Sequence, residues 1–177
     1  MIKLIDRINK TNQIKIIPST SYNNYISGYY SLNTPDKNGN VSDWHPLIYW
    51  AAKFPNQIVD LTSNHHIIGN YGIEYRNIKW CNQKVHIATF NRAVIDMIYY
   101  ENNQLINRGI INDFIFDDND KEEIFNKLLI IRQYKDIDNI LLHEFPIEFT
   151  KGVKNGTIRL SKRENTVNEG NIANVWG

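Results

Sequence analysis

Hydrophobic and polar positions change period abruptly between Val85 and Tyr100. Val85, Ile87 and Thr89 alternate with His86 and Ala88, the period of two that a half-buried strand shows. From Phe90 the period lengthens, and Phe90, Ala93, Val94, Met97 and Ile98 fall on one face of a helix. Thr89 stands between the two patterns, placed to cap the free N–H groups of the first helical turn. Arg92 and Asp96 lie four apart and can pair on the helix surface, where such a pair contributes only about 0.2–0.5 kcal/mol.

Upstream of this unit the pattern predicts mostly sheet. A short helix over about residues 2–9 is followed by Ile14 to Ile17, a strand that ends at Pro18. Tyr25, Ile26, Tyr29, Tyr30 and Leu32 read as an aromatic-rich second strand, with Gly28 as a bulge or close-approach point. The run from Asn33 to Asn40 is dense in turn formers, and Asn38-Gly39 signals a tight turn. Asp43 suits the cap of a helix over residues 44–54, in which Pro46 is tolerated in the first turn and Leu47, Trp50, Ala51 and Phe54 form the apolar stripe. Ile58 to Leu61 and Tyr71 to Ile78 supply further strands before the chain returns through Cys81-Asn82-Gln83.

Downstream the periodicity is helical. Asp117, Asp118 and Asp120 precede Lys121 to Gln133, where Ile124, Leu128 and Ile131 share a face; acids at a helix start are favoured by the backbone dipole, so the run reads as capping. Another helix is expected from Asp136 to His143, with Ile137, Ile140 and Leu141 inward. These elements predict an α+β fold: a mixed, largely antiparallel sheet with helices packed on it and a helical second half. The domain is placed at residues 1–150. Beyond it apolar residues thin out, and 151–177 reads as a loosely ordered basic tail in which Trp176 would anchor to this domain or to a partner.

Composition fits one folded unit. The chain has 177 residues, of which 42% are hydrophobic and 12% aromatic, enough apolar surface to offset the ordering cost of folding. Net charge is +1, so no overall field advertises nucleic acid or an anionic membrane. The lone Cys81 cannot close an internal disulfide, no leader pattern opens the chain, and no run approaches a membrane span; cytoplasmic residence is the default expectation.

The chemistry-bearing residues form no recognisable motif. His45, His65, His66, His86 and His143 lack the spacing of dedicated metal sites, and the acids lack that of a calcium loop. Neither a phosphate-cradling glycine loop nor an activated cysteine is evident, so no catalytic residue, metal or cofactor is assigned. Asp60, His65, His66, Arg76 and Asp96 would make a polar pocket if the fold brought them together. The aromatic run Tyr22 to Trp50 contains Tyr29, Tyr30, Trp44 and His45 with Lys37 as its only base, which suits core packing or a protein-binding patch better than stacking on nucleic acid.

One resemblance adds to this reading. The antitoxins of AbiE-type abortive-infection toxin–antitoxin systems carry a strand leading into A-T/S-P-E-K/R-A-L-L-D-L-L-Y, and Ala88, Thr89, Arg92, Ala93, Asp96 and Tyr99 stand in matching places. Phe90 replaces the usual proline and Asn91 the usual glutamate. The likeness extends over about residues 68–131, where Gly69, Tyr71 and Tyr75 resemble the strand pair before that helix.

The resemblance implies a non-catalytic bacterial antitoxin of phage defence that binds and neutralises a cognate nucleotidyltransferase-type toxin. The winged helix-turn-helix that precedes this domain in the family is not evident in the first 60 residues, so DNA binding is not expected. Tyr29, Tyr30, Trp44, His45, Arg76, Arg92 and Trp176 are the candidate partner-binding residues. Two other readings remain open: a small nucleotide- or nucleic-acid-processing enzyme using the His/Asp/Arg pocket, and a phage-encoded inhibitor of host defence.

Overall fold

Helix α3 (Phe90–Leu105) is the axis on which the other elements pack, and the sequence between Asn91 and Ile98 is buried on every side. The computed structural model describes residues 14–78, 82–105 and 109–160. In chain order these form β1 (Asn24–Tyr25), α1 (Gly28–Leu32), α2 (Pro46–Trp50), β2 (Thr62–Ser63), β3 (Ile73–Ile78), β4 (Gln83–Ala88) and α3. Then follow α4 (Ile110–Phe114), α5 (Asp118–Ile131), α6 (Asp138–Glu144) and α7 (Pro146–Lys154). The fold is α+β, with seven helices and two small antiparallel sheets among the described residues.

The sheets are smaller than the sequence pattern predicts. β1 pairs with β2 and β3 with β4, each pair antiparallel, and no larger sheet joins them among the described residues. Ile14 and Ile16 make single bridges to Ala51 and Ile58 instead of a continuous strand. The expected strand from Tyr25 to Leu32 is cut short at Tyr25, because Gly28 turns the chain at φ +56° and the segment continues as α1. Its apolar positions 25, 26, 29 and 30 recur at a helical spacing that the aromatic, strand-favouring side chains disguise. The helix expected over 44–54 ends at Trp50, and Phe54 is 71% exposed where the stripe placed it inward. The helix expected over residues 2–9 lies outside the described residues.

The β3–β4 hairpin separates two cores, because opposite residues alternate between its faces. The pair Ile73 and Ala88 faces the helical core, which also takes Val94, Ile98, Ile124, Leu128 and Ile131. Val85, Ile87 and Ile78 face a second cluster with Ile26, Trp50 and Val59. Each fully buried Val, Ile or Met on α3 contributes about 1.5–3 kcal/mol relative to exposure, so this helix dominates the packing energy.

The second half follows its periodicity closely. Asp117 caps α5 by accepting from Asn119 N (2.8 Å) and Asp120 N (3.2 Å), and Ile124, Leu128 and Ile131 face the core. Helix α7 crosses the boundary expected at residue 150. Gly152 brings that helix against Ile158, which joins the main core, while residues 161–177 of the expected tail lie outside the described residues. The expected site at Trp176 lies outside the described residues.

Candidate functional site

The turn from β4 into α3 sets the first site. Thr89 N donates to Gly72 O (2.7 Å), closing the hairpin, and the Thr89 hydroxyl accepts from Arg92 N (3.3 Å), capping the helix as its position in the sequence predicts. Gly72 has φ +66°, and a Cβ there would lie 2.6 Å from Cβ of Arg92, so only glycine fits this crossing.

Arg92 and Asp96 are paired, but inside the molecule. Arg92 Nε donates to Asp96 Oδ1 (2.8 Å), Nη1 donates to the carbonyls of Gly69 and Tyr71 (3.0 Å each), and Nη2 donates to Asn64 Oδ1 (3.0 Å). The Tyr25 and Ser27 hydroxyls donate to Asp96 Oδ2 at 2.6 and 2.7 Å. Burial and the Asp96 charge push the Tyr25 phenol far above its ordinary range. His65 completes the cluster: its ring stacks on Tyr99 at 4.3 Å, Nδ1 accepts from Ile67 N (3.3 Å), and the enclosed Nε2 lies 3.6 Å from Asp96 Oδ1. The surface pair expected from i,i+4 spacing is therefore corrected to a buried one, because β1, the chain to Ser27 and the loop from Asn64 to Tyr71 cover the face of α3 opposite its apolar stripe. Arg92, with no exposed surface, is not available to a partner.

Of the five residues expected to form a polar pocket, only His65 and Asp96 meet. Asp60 and His66 are exposed, and Arg76 lines a different recess that contains none of the other four. A buried, internally bonded Asp96 and a His65 ring sealed from solvent cannot present a proton to a substrate. Among the described residues no three His, Cys, Asp or Glu side chains gather as metal ligands.

Arg76 belongs to a cleft of about 280 Å³ between β3, the Asp36–Lys37 turn and the first turns of α3 and α5. At one end, Asn91 Nδ2 donates to Asp120 Oδ1 (2.7 Å) and approaches Glu123 Oε2 (3.5 Å). Burial, then the charge of Glu123, pushes the neighbouring Tyr71 phenol up to about 12. At the other end, Arg76 Nη1 donates to Pro35 O (2.6 Å), Nε lies 3.5 Å from Glu74 Oε2, and burial pulls the guanidinium down from its ordinary value. Asn91, standing where the resembled family has glutamate, thus bridges two carboxylates. Asp120 reads as a helix-start acid in the sequence and Glu123 has no assigned role there; the fold places both in the cleft that β3 helps to line.

The aromatic candidates divide by role. Tyr29 stacks on Tyr49 (5.2 Å) and meets Phe114 edge-on (5.9 Å); Tyr30 lies edge-on to Trp50 (5.4 Å), and its hydroxyl accepts from Lys15 Nζ (2.7 Å). Both are half-buried packing residues. Trp44 is different: it is 78% exposed, with its ring 4.2 Å from that of His45. His45 Nδ1 lies 2.6 Å from Asp43 Oδ1, Asn33 Nδ2 donates to Asp43 Oδ2 (2.9 Å), and His45 N donates to Asn33 Oδ1 (2.7 Å). Burial works against the Asp43 charge, but the bonds from His45, Asn33 and Trp44 N outweigh it and hold the carboxyl below the ordinary range. The sequence marks Asp43 as a helix cap and Asn33 as a turn residue; that the two join beneath His45 is evident only in the fold.

Compared with protein-family models, with curated proteins and with solved structures, the chain gives no match.

Proposed function

We propose that this chain is a non-catalytic binding protein of the antitoxin kind, which holds a nucleotidyltransferase-type toxin in a phage-defence pair. The observation that carries the binding role is Trp44, exposed at 78% yet backed by His45 and the buried Asp43–Asn33 pair. An exposed tryptophan on a fixed support offers a large contact area with little ordering cost on association, the property of interface hot spots. Val41, Ile48 and Phe54, exposed in the same stretch of chain, add apolar surface. The absence of catalysis is supported by the use of Arg92, Asp96 and His65 within the fold. The toxin partner rests on the sequence resemblance around Ala88 to Tyr99, whose threonine cap and strand-to-helix turn are present. No described helix is long and apolar enough to cross a membrane.

Co-expression with the product of the adjacent reading frame tests this. That product is expected to be nucleotidyltransferase-like and to arrest growth, the present chain to relieve the arrest, and Trp44→Ala to lose relief while unfolding at the same denaturant midpoint. A neighbour of another kind, or an arrest that the chain leaves unchanged, removes the proposal.

A further inference from the structure

The tripeptide Lys-Asn-Gly occurs twice, as Lys37-Asn38-Gly39 and as Lys154-Asn155-Gly156, and both asparagines are exposed. An asparagine before glycine is open to attack by the next backbone nitrogen, because glycine has no Cβ to crowd that nitrogen. The nitrogen bonds to the side-chain carbonyl carbon as its proton passes to solvent, the bond to the side-chain nitrogen breaks, and ammonia leaves a five-membered imide. Water then opens the imide at one of its two carbonyls, giving aspartate or isoaspartate. One water is taken up and one ammonia released, with no oxidation or reduction. Identical tripeptides share this chemistry, so only the fold can tell the two places apart.

Asn155 is held on every side. It ends α7 at φ −87° and ψ 1°, its N–H donates to Lys151 O (3.0 Å), and Gly156 N donates to Val153 O (3.2 Å). Its side-chain Oδ1 accepts from Thr157 N (3.1 Å) and lies 2.7 Å from the Thr157 hydroxyl oxygen. Ring closure there must break the side-chain bonds as well as the turn.

Asn38 is held by its backbone alone. Gly39 N donates to Asp36 O (3.1 Å), and Asp36 Oδ1 accepts from Asn38 N and Asn40 N (2.8 Å each). Among the described residues nothing bonds the Asn38 carboxamide, which is free to turn onto Gly39 N once a single surface turn bond is released.

We propose that Asn38 is a self-modifying site, which converts in the folded protein to aspartate and isoaspartate while Asn155 stays intact. Water is the co-reactant, and no enzyme takes part. The product adds a carboxylate beside Lys37, at the end of the cleft where Arg76 and Lys37 are matched by Glu74 and Asp36. That balance turns negative, and the formal charge of the chain falls from +1 to zero. Isoaspartate also lengthens the main chain by one carbon within the turn that Asp36 organises. The site is independent of the toxin assignment and stands or falls separately from it.

The test incubates the full chain at mildly alkaline pH, folded in one arm and unfolded in urea in the other. Tandem mass spectrometry of its peptides follows each asparagine, and a protease that cleaves at aspartate but passes over isoaspartate separates the products. In the folded protein Asn38 is expected to convert at least fivefold faster than Asn155. In urea, where neither tripeptide is held, the two rates are expected to agree within twofold. Asn38→Gln, whose longer side chain closes a ring far more slowly, is expected to abolish the acidic shift that isoelectric focusing shows as the folded protein ages. Equal rates in the folded protein, faster conversion of Asn155, a difference that persists in urea, or an Asn38 that stays intact when folded overturns the proposal.

Discussion

Arg92 donates its Nε–H to Asp96 across 2.8 Å with 0% and 2% of the two side chains exposed, so one ion pair within α3 anchors two other segments, the Asn64–Tyr71 loop through Arg92 and the Tyr25–Ser27 chain through Asp96. Breaking a buried pair from one side leaves an uncompensated charge, so Arg92→Met or Asp96→Asn is expected to cost about 3–5 kcal/mol. The double replacement is expected to cost clearly less than the sum, since the residues share one network. Urea unfolding of the four proteins measures both quantities; additive losses would show that the pair is not coupled.

Alkaline pH should loosen the same centre. The folded-state pKa of Tyr25 is raised above the unfolded value near 10, so the folded protein keeps a proton that the unfolded chain releases. The stabilisation is fully present below pH ~10 and is lost as pH rises beyond it, at a limiting slope of about 1.4 kcal/mol per pH unit for one such group. Tyr71, raised to about 12, acts in the same direction between those two values. Tyr25→Phe is expected to be less stable at neutral pH, by about 1–3 kcal/mol for a lost buried bond to a charged group, but flatter above pH 10. Denaturation midpoints measured from pH 8 to 11.5 decide this, and equal slopes for the two proteins would contradict it.

Gly72→Ala should be among the most damaging small changes. Positive φ alone costs an alanine about 1–2 kcal/mol, and the added methyl would press on Cβ of Arg92 at 2.6 Å and the Thr89 hydroxyl at 2.8 Å. Gly69, with φ +57° and open space around it, provides the comparison: Gly69→Ala should show only the backbone cost. Thermal melts that rank the two variants equally would remove the steric part of this account.

Glu144 lies at the end of α6 yet accepts from Ile111 N (2.9 Å) in the first turn of α4, serving as a cap from another element. Gly109, which precedes α4, has no side chain to do so. Glu144→Ala is expected to cost about 1–2 kcal/mol, the upper range for a lost cap, with Glu144→Gln recovering part of it. Hydrogen exchange at the Ile111 amide should quicken in both; unchanged protection there would refute the cap.

These residues also show what could be read along the chain. Thr89, Asp117 and the stripe Ile124, Leu128 and Ile131 act within a few residues of themselves, so local spacing sufficed, and the α+β class followed. Arg92, Asp96, Asn64 and Glu144 owe their roles to segments far away in sequence, and i,i+4 spacing says nothing about which elements will cover a helix face. The polar pocket failed for the same reason: Asp60 and His66 sit on exposed chain, while His65, one residue from His66, turns inward. Trp44 was visible as an aromatic, but its exposure became evident only once Tyr29, Tyr30 and Trp50 had filled the interior.

Asp96 finally bears on how the protein assembles. The hairpin, Thr89 and the first turns of α3 lie within about thirty residues, and their contacts can close early because short loops cost little entropy. Tyr25 and Ser27 come from 71 and 69 residues upstream to reach the same carboxylate. Until they arrive, Asp96 lacks two of its donors and remains better solvated by water than by protein. If sequence separation sets the order, the two hydroxyls reach the Asp96 charge late, and kinetics test it: Thr89→Ala is expected chiefly to slow folding and Tyr25→Phe chiefly to speed unfolding, the reverse pattern overturning that order.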